Sequence, residues 1–197
     1  MKKQQPKPKP SQTPLVKPPA EFFYQAVGIL QGQLVSKGSV LLFQSLNQSA
    51  SESFCLKVKA VDPKLACYLL ANPNIRQGCW MIYPKQKKQI ALKAFLDQIP
   101  EGMEVGQLYL SGQLLPCPNP GVIRIQIQPN LPRQDKPFSI ALKGYLPNAE
   151  PGQFWRLEAE KTNKGWALVD GGRVDDTIPK VAVKRPKSSK PAVAAAK

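Results

Sequence analysis

The sequence predicts an all-β fold built from two repeats of short strands. Short stretches rich in Val, Ile, Leu and aromatic residues are separated by Gly, Pro, Asn and Ser, a pattern typical of β-sandwiches and barrels. Several stretches alternate apolar and polar residues, which is the period of a strand with one buried face. The Gly-Gln-Leu segment at residue 32 recurs at residue 112, and this recurrence indicates an internal repeat.

The first half opens with strand-like segments at residues 24–35 and 39–43. The first segment contains Gly28 and Gly32, which predict bends or bulges in a long, curved strand. A third segment, residues 54–61, alternates cleanly, so that one face carries apolar residues and the opposite face carries lysines.

A short helix is predicted after the third strand. Asp62 is a good N-cap residue, Pro63 is favoured at the first helical position, and Asn-Pro-Asn at residues 72–74 ends the segment. Apolar residues recur between these limits at helical spacing, which predicts one buried side made of Leu65, Ala66, Leu69 and Leu70. Two more strands, at residues 78–83 and 90–96, complete the first half.

The second half repeats this order without the helix. The linker at residues 147–151 is too short to hold a helix like that of the first half. The predicted strands are residues 105–115, 121–128, 138–146, a segment that begins at Gly152, and residues 166–169. Trp80 and Trp155 fall at matching places in the two halves and are predicted to share a core position.

The order of three strands, a helix and two strands resembles the OB-fold, a five-stranded Greek-key barrel. Gly28, Gly32 and the helix at residues 62–71 carry this resemblance. The resemblance covers roughly residues 22–177 as two tandem OB-like five-stranded barrels, with one short helix in the first. The chain is also similar to an uncharacterised tandem OB-fold family of cyanobacterial type. No activity carries over from that family, and a single larger β-sandwich is the alternative fold.

The resemblance divides the chain into four parts: a basic tail (1–20), two OB-like domains (21–100 and 101–177) and a second basic tail (178–197). The whole chain carries 28 Lys and Arg against 13 Asp and Glu, a net charge of +15. The tails hold five and six of these cations with no acid, so 17 cations and all 13 acids lie between them. Both tails are rich in Pro and poor in large apolar residues, which predicts disorder. Such tails act either as electrostatic arms for nucleic acid or as solubilising segments.

Several classes of function are excluded or disfavoured by composition. The chain has no His, which removes Ser-His-Asp and Cys-His catalysis and His-ligated metal sites. No phosphate-loop, dinucleotide-binding or nucleophile-elbow motif is present, so we predict no enzymatic activity, no catalytic residues and no cofactor. The four cysteines form no C-x-x-C pair, so they predict no metal site and are interpreted as small buried apolar residues.

Localisation follows from the absence of sorting signals. The N-terminus lacks an apolar signal region, and the longest apolar runs are far too short to span a bilayer. The sequence therefore predicts a cytoplasmic protein without a membrane span.

The OB resemblance implies ligand contacts on the outer face of the second and third strands and at the loops that join strands one to two and four to five. In the first barrel these places hold Lys37, Lys57, Lys59, Lys85, Lys87 and Lys88. In the second barrel they hold Arg124, Lys143, Lys161 and Lys164. Cations in such places track a phosphodiester backbone, whereas the alternative is an ordinary solvated sheet face. The carboxylates of Glu158 and Glu160 would repel phosphate from the second barrel.

Aromatic side chains decide whether bases can stack on such a surface. Phe43, Phe54, Phe138 and Phe154 fall mostly on apolar faces and are predicted to pack in the cores. The candidates for stacking lie at strand ends near loops: Tyr83, Tyr145 and Trp166.

Two functions remain open at this point. The first is a non-enzymatic protein that binds RNA or single-stranded DNA through its barrels and basic tails. The second is a protein–protein adaptor whose basic tails dock an acidic partner or surface, with Pro-rich segments as possible ligands for aromatic grooves.

Overall fold

Ten strands and one short helix form the fold over the residues that the computed structural model describes, which are 17–46, 53–85, 88–128 and 136–174. The first half contains β1 (Gln25–Lys37), β2 (Val40–Ser45), β3 (Cys55–Val61), α1 (Pro63–Ala71), β4 (Gln77–Lys85) and β5 (Gln89–Leu96). The second half contains β6 (Gln107–Leu115), β7 (Val122–Ile127), β8 (Phe138–Lys143), β9 (Phe154–Thr162) and β10 (Gly165–Arg173). The predicted all-β class, with one short helix in the first half, is confirmed.

The strand pairings run in two cycles of five with the same order. In the first half, β1 pairs with β2, β2 with β3, β3 with β5, β5 with β4, and β4 with β1. In the second half the same circuit joins β6, β7, β8, β10 and β9, and returns to β6. The third strand of each cycle runs parallel to the fifth, whereas every other pair is antiparallel. This is the strand order of an OB-like barrel, and we call the two cycles the first and second barrels.

Strand β1 also joins the two barrels. Its first four residues pair with β6, and the Gly106 amide donates to the Ile29 carbonyl at 2.7 Å. A Cβ on Gly28 would lie 2.7 Å from the Gln107 carbonyl oxygen, so this position needs a residue without a side chain. Gly28 therefore permits a close approach between the barrels rather than a bulge within β1.

The repeated Gly-Gln-Leu segments mark equivalent places in the two barrels. A Cβ on Gly32 would lie 2.4 Å from the Gln44 carbonyl oxygen, and one on Gly112 would lie 2.4 Å from the Gln126 carbonyl oxygen. In each case the first strand of the barrel packs tightly over the second. The repeat is thus preserved where backbone approaches backbone.

Replacing Gly112 with alanine is expected to destabilise the protein by about 1–3 kcal/mol, because the new methyl group overlaps backbone and buried side chains. Gly172→Ala is the matched control, since nothing lies within 4 Å of a Cβ at that position in β10. Urea unfolding followed by circular dichroism measures both free energies of unfolding. Equal unfolding midpoints for the two variants would contradict the close approach.

Helix α1 begins as the sequence predicts. The Asp62 side chain accepts a hydrogen bond from the Lys64 amide at 3.1 Å, and Pro63 occupies the first turn. Lys93 donates to Asp62 Oδ2 at 3.2 Å, and this hydrogen bond lowers the pKa of Asp62. The predicted apolar side is only partly correct, because Leu65 is buried whereas Leu70 is 82 % exposed. Nowhere in the described segments does a helix have the length and apolar character needed to cross a membrane.

Each barrel encloses its own apolar core. Phe43, Trp80 and Leu92 are fully buried in the first core, whereas Leu108 and Leu142 are fully buried in the second. Trp166, at the start of β10, packs against both cores.

The two other tryptophans do not occupy strictly matching positions in the two barrels. Trp155 lies opposite Gly112, whereas Trp80 lies opposite Leu30, two residues before Gly32, the counterpart of Gly112. Trp80 and Trp155 are therefore both buried but are displaced by two residues from strict equivalence.

The cysteines do not behave as predicted. Cys55 and Cys67 are exposed, whereas Cys79 and Cys117 are half-buried. The prediction that they are small buried core residues is wrong, because Cys55 alternates outward with the lysines of β3 and Cys67 lies on the solvent side of α1.

Candidate nucleic-acid interface

The outer face of β3 presents two lysines to solvent. Lys57 and Lys59 are exposed, whereas their neighbours Leu56 and Val58 are buried in the core. The two lysines are two residues apart on one strand, and the register of β3 against β5 shifts at Lys59, between Val58 and Ala60. In the described part of the chain neither lysine pairs with a carboxylate. We call this pair the first-barrel face.

Lys88, directly before β5, lies beside that face. The Lys57 amide donates to the Lys88 carbonyl at 3.2 Å, so Lys88 is tied to β3 through its backbone. Lys88 itself is exposed and has a positive φ of 58°. Lys85, at the end of β4, is half-buried, and its Nζ lies 5.6 Å from the centre of the Phe138 ring in the second barrel. Lys87 lies outside the described residues.

Lys161 of the second barrel reaches the first barrel. Its Nζ lies 4.4 Å from the centre of the Phe54 ring and 5.6 Å from the centre of the Trp166 ring. It donates to the carbonyl oxygens of Thr162 and Gly165. These contacts hold a cation over aromatic rings at the boundary of the two barrels.

The electrostatic setting of Lys161 is unfavourable to its charge. Burial, and to a smaller extent repulsion by Lys88, lowers its pKa from the usual 10.5 to about 8. Among the described residues, no carboxylate lies within ion-pair distance of either lysine. Within the described ranges, the boundary therefore holds two neighbouring cations without a counter-anion.

These ring contacts, together with the charge repulsion between Lys88 and Lys161, define one group of side chains, which we call the junction cluster. It lies where the end of β4, the start of β5, the starts of β3 and β8 and the hairpin of β9 and β10 face the boundary. Its members are Phe54, Lys85, Lys88, Phe138, Lys161 and Trp166.

The outer face of β7 and β8 carries the cations of the second barrel. Arg124 and Lys143 are both exposed, and Arg124 stands opposite Ala141, so the two cations are diagonal neighbours. We call this pair the second-barrel face. The exposed acids Glu158, Glu160 and Asp170 lie along β9 and β10, where Arg156 and Arg173 are exposed as well.

The aromatic candidates have different surroundings. Tyr145 is 75 % exposed just after β8, and Tyr83 is 40 % exposed with Lys93 Nζ 4.9 Å from the centre of its ring. Trp166 is half-buried between the two cores and already faces Lys161. Tyr145 is thus the most accessible ring for stacking, whereas Trp166 belongs to the junction cluster.

Two predicted cations lie apart from the junction cluster. Lys37 is exposed at the turn between β1 and β2, at the opposite end of β2 from Phe54. Lys164 is exposed in the turn between β9 and β10 and contacts none of the aromatic rings of the cluster.

Phe54 and Phe138 pack against the first and second cores, as the sequence predicts, but their contacts at the boundary were missed. Both are half-buried, and each receives a lysine from the opposite barrel. A usable signal existed, since both rings stand at the start of the third strand in their repeat: Phe54 directly precedes β3, and Phe138 is the first residue of β8. Lys93, which covers Tyr83, was also missed.

The circuit of strands and the positions of these cations define an OB-like protein with a basic boundary between two barrels. Residues 118–175 match the family model of a cyanobacterial OB-fold-like RNA-binding domain, C-terminal. The match covers β7 to β10 and confirms the predicted resemblance to a cyanobacterial OB-fold family. Comparison with curated proteins and with solved structures gave no match.

Proposed function

We propose that this protein binds single-stranded RNA without catalysing a reaction, with the strand lying along the outer faces of the two barrels. The family match supports nucleic-acid binding, and it favours a binding protein over an enzyme. It gives no support to an acidic protein partner, so the adaptor function is not carried forward.

The observation that carries this proposal is the row of cations beside β3. Lys57, Lys59 and Lys88 are exposed, and none of them pairs with a carboxylate in the described segments. The Lys57 amide donates to the Lys88 carbonyl, which ties Lys88 to β3. Phosphate contacts supply most of the sequence-independent affinity for nucleic acid, and a positive groove flanked by aromatic rings is the usual platform for single strands. The basic tails would add affinity without sequence preference; residues 1–16 of the first tail and the whole second tail, 178–197, lie outside the described residues.

The proposal predicts a steep dependence of affinity on salt. Fluorescence anisotropy with a labelled single-stranded RNA, and with DNA of the same sequence, measures the dissociation constant across a salt series. Each phosphate neutralised on a single strand contributes about 0.7 to the slope of log affinity against log salt. Tighter binding of the DNA strand would replace RNA by single-stranded DNA as the ligand, and no binding at about 50 mM salt would refute the proposal.

A pair of charge-matched variants assigns the binding to the barrel. Lys57→Met with Lys59→Met removes the first-barrel face and is expected to reduce the salt slope by about 1.4. Lys64→Met with Arg76→Met removes the same charge from α1 and the segment after it, and is expected to leave the slope nearly unchanged. If the two double variants lose affinity equally, binding follows net charge or the tails rather than the face of β3.

A further inference from the structure

Both candidate faces begin at the junction cluster. Phe54 directly precedes β3, and Phe138 is the first residue of β8. Lys161 contacts the first of these rings and Lys85 contacts the second, so the start of each strand faces a lysine of the opposite barrel at the boundary. From there β3 leads to Lys57 and Lys59, whereas β8 and its partner β7 lead to Lys143 and Arg124.

The two outer sides of the second barrel differ in charge. Along β9 and β10, the exposed carboxylates of Glu158, Glu160 and Asp170 would repel phosphate, although Arg156 and Arg173 are exposed on the same strands. The face of β7 and β8 presents Arg124 and Lys143 and has no acid in either strand. A nucleic-acid strand that leaves the first-barrel face at its junction end therefore finds the more favourable charge on β7 and β8.

The charges at the junction cluster favour an anion between the barrels. Lys88 and Lys161 repel each other, Lys161 is half-buried, and neither has a carboxylate partner among the described residues. A phosphate beside both ammonium groups would remove the repulsion and would accept charge-assisted hydrogen bonds. The rings of Phe54 and Phe138 flank the same place and are suited to contact the bases attached to that backbone.

We propose that one nucleic-acid strand crosses from the first-barrel face to the second-barrel face at the junction cluster, with a backbone phosphate bound between Lys88 and Lys161. This inference rests on the proposed function and adds the path of the strand and the residues that hold it between the barrels. The two barrels then bind as one surface, and the ligand is continuous single-stranded nucleic acid rather than two separate short pieces.

The test measures how three full-length variants bind the same RNA strand. Lys161→Met removes the charge and keeps an apolar stem, Lys161→Arg keeps the charge, and Lys64→Met removes one exposed charge from α1. The probe is labelled oligouridine of roughly 20 nucleotides, which lies within the combined site size of two OB folds. Anisotropy titrations across a salt series give the affinity and slope, and titration at high protein concentration gives the number of strands per chain.

The expected result is a loss specific to the charge of Lys161. Lys161→Met should bind about tenfold more weakly at low salt and show a slope smaller by about 0.7. Lys161→Arg should stay close to the unmodified protein, because arginine remains charged and also stacks on aromatic rings. Lys64→Met should change neither quantity appreciably, and one strand should bind per chain.

Other outcomes separate this inference from the proposed function. If Lys161→Met behaves like Lys64→Met while Lys57→Met with Lys59→Met still weakens binding, the protein binds the strand but not across the junction cluster. Two strands per chain would likewise refute the continuous path. If the unmodified protein binds no strand, the proposed function fails, and this inference fails with it.

Discussion

Trp80→Ala is expected to lower the free energy of unfolding by about 3–5 kcal/mol, a large part of the 5–15 kcal/mol typical of a whole domain. Trp80 is fully buried in the first core, and its ring meets that of Phe95 edge-on at 5.0 Å. Its Nε1 donates to the Gly32 carbonyl at 3.1 Å. The substitution therefore opens a cavity and leaves a buried carbonyl without its partner.

We expect this loss to unfold both barrels together. Strand β1 belongs to the first barrel and pairs with β6 of the second, and Trp166 packs against both cores. Removing the first barrel would expose the edge of β6 and one side of Trp166. The two proposed domains, residues 21–100 and 101–177, are thus expected to behave as one cooperative unit.

Urea unfolding measures the stability of Trp80→Ala, and hydrogen exchange read separately for each barrel measures cooperativity. Trp80→Phe is the control, because it keeps most of the ring volume while losing the hydrogen bond to Gly32. It should cost less than the alanine variant. If the amides of the second barrel keep their full protection while those of the first barrel exchange, the barrels fold independently and the boundary near residue 100 separates true domains.

Local patterns in the sequence predicted the parts of the fold that depend on neighbours along the chain. The alternation of β3 placed Leu56 and Val58 inside and Lys57 and Lys59 outside, as the structure has them. Asp62 followed by Pro63 marked the start of α1, since capping is a local interaction. The Gly-Gln-Leu repeat predicted equivalent strands, because glycine is required where backbones approach closely.

The junction cluster was not predictable in the same way. Lys88 and Lys161 are 73 residues apart and were assigned to separate barrels, since nothing in their local sequence indicates that the two loops meet. Phe54 looked like a core residue because it continues an apolar alternation, and only the packing of the second barrel makes it a platform for Lys161. The candidate binding residues themselves stay predictions until affinity is measured.

Lys161→Met is expected to make the protein more stable at neutral pH and to remove part of its pH dependence. The pKa of Lys161 is about 8 in the folded protein, chiefly because of burial and additionally because of Lys88, against 10.5 for an ordinary lysine. The unfolded chain therefore keeps this proton to a higher pH than the folded protein does. The free energy of unfolding then rises between about pH 8 and 10.5, and the charged lysine destabilises the fold below that range.

Urea unfolding at a series of pH values from 7 to about 10.5 measures this effect as the difference between the unmodified protein and Lys161→Met. Tyr24 has the opposite effect: burial raises its pKa, so its ionisation destabilises the fold at high pH. Both proteins contain Tyr24, so its contribution cancels when the two free energies of unfolding are subtracted. The difference should shrink as the pH rises, because both proteins then carry a neutral side chain at this position. A difference that stays constant with pH would contradict the lowered pKa.

The same titration connects stability with binding. A phosphate beside Lys161 favours the charged form of the amine, so a bound strand should raise the pKa of Lys161 again. The affinity of the unmodified protein should therefore fall as the pH rises through about 8, whereas Lys161→Arg should show no such step because arginine stays charged. A lysine that destabilises the free protein and strengthens the complex is the behaviour expected of a residue kept for binding. If affinity shows no step near pH 8 while stability does, Lys161 is a cation buried between the barrels that the strand does not reach.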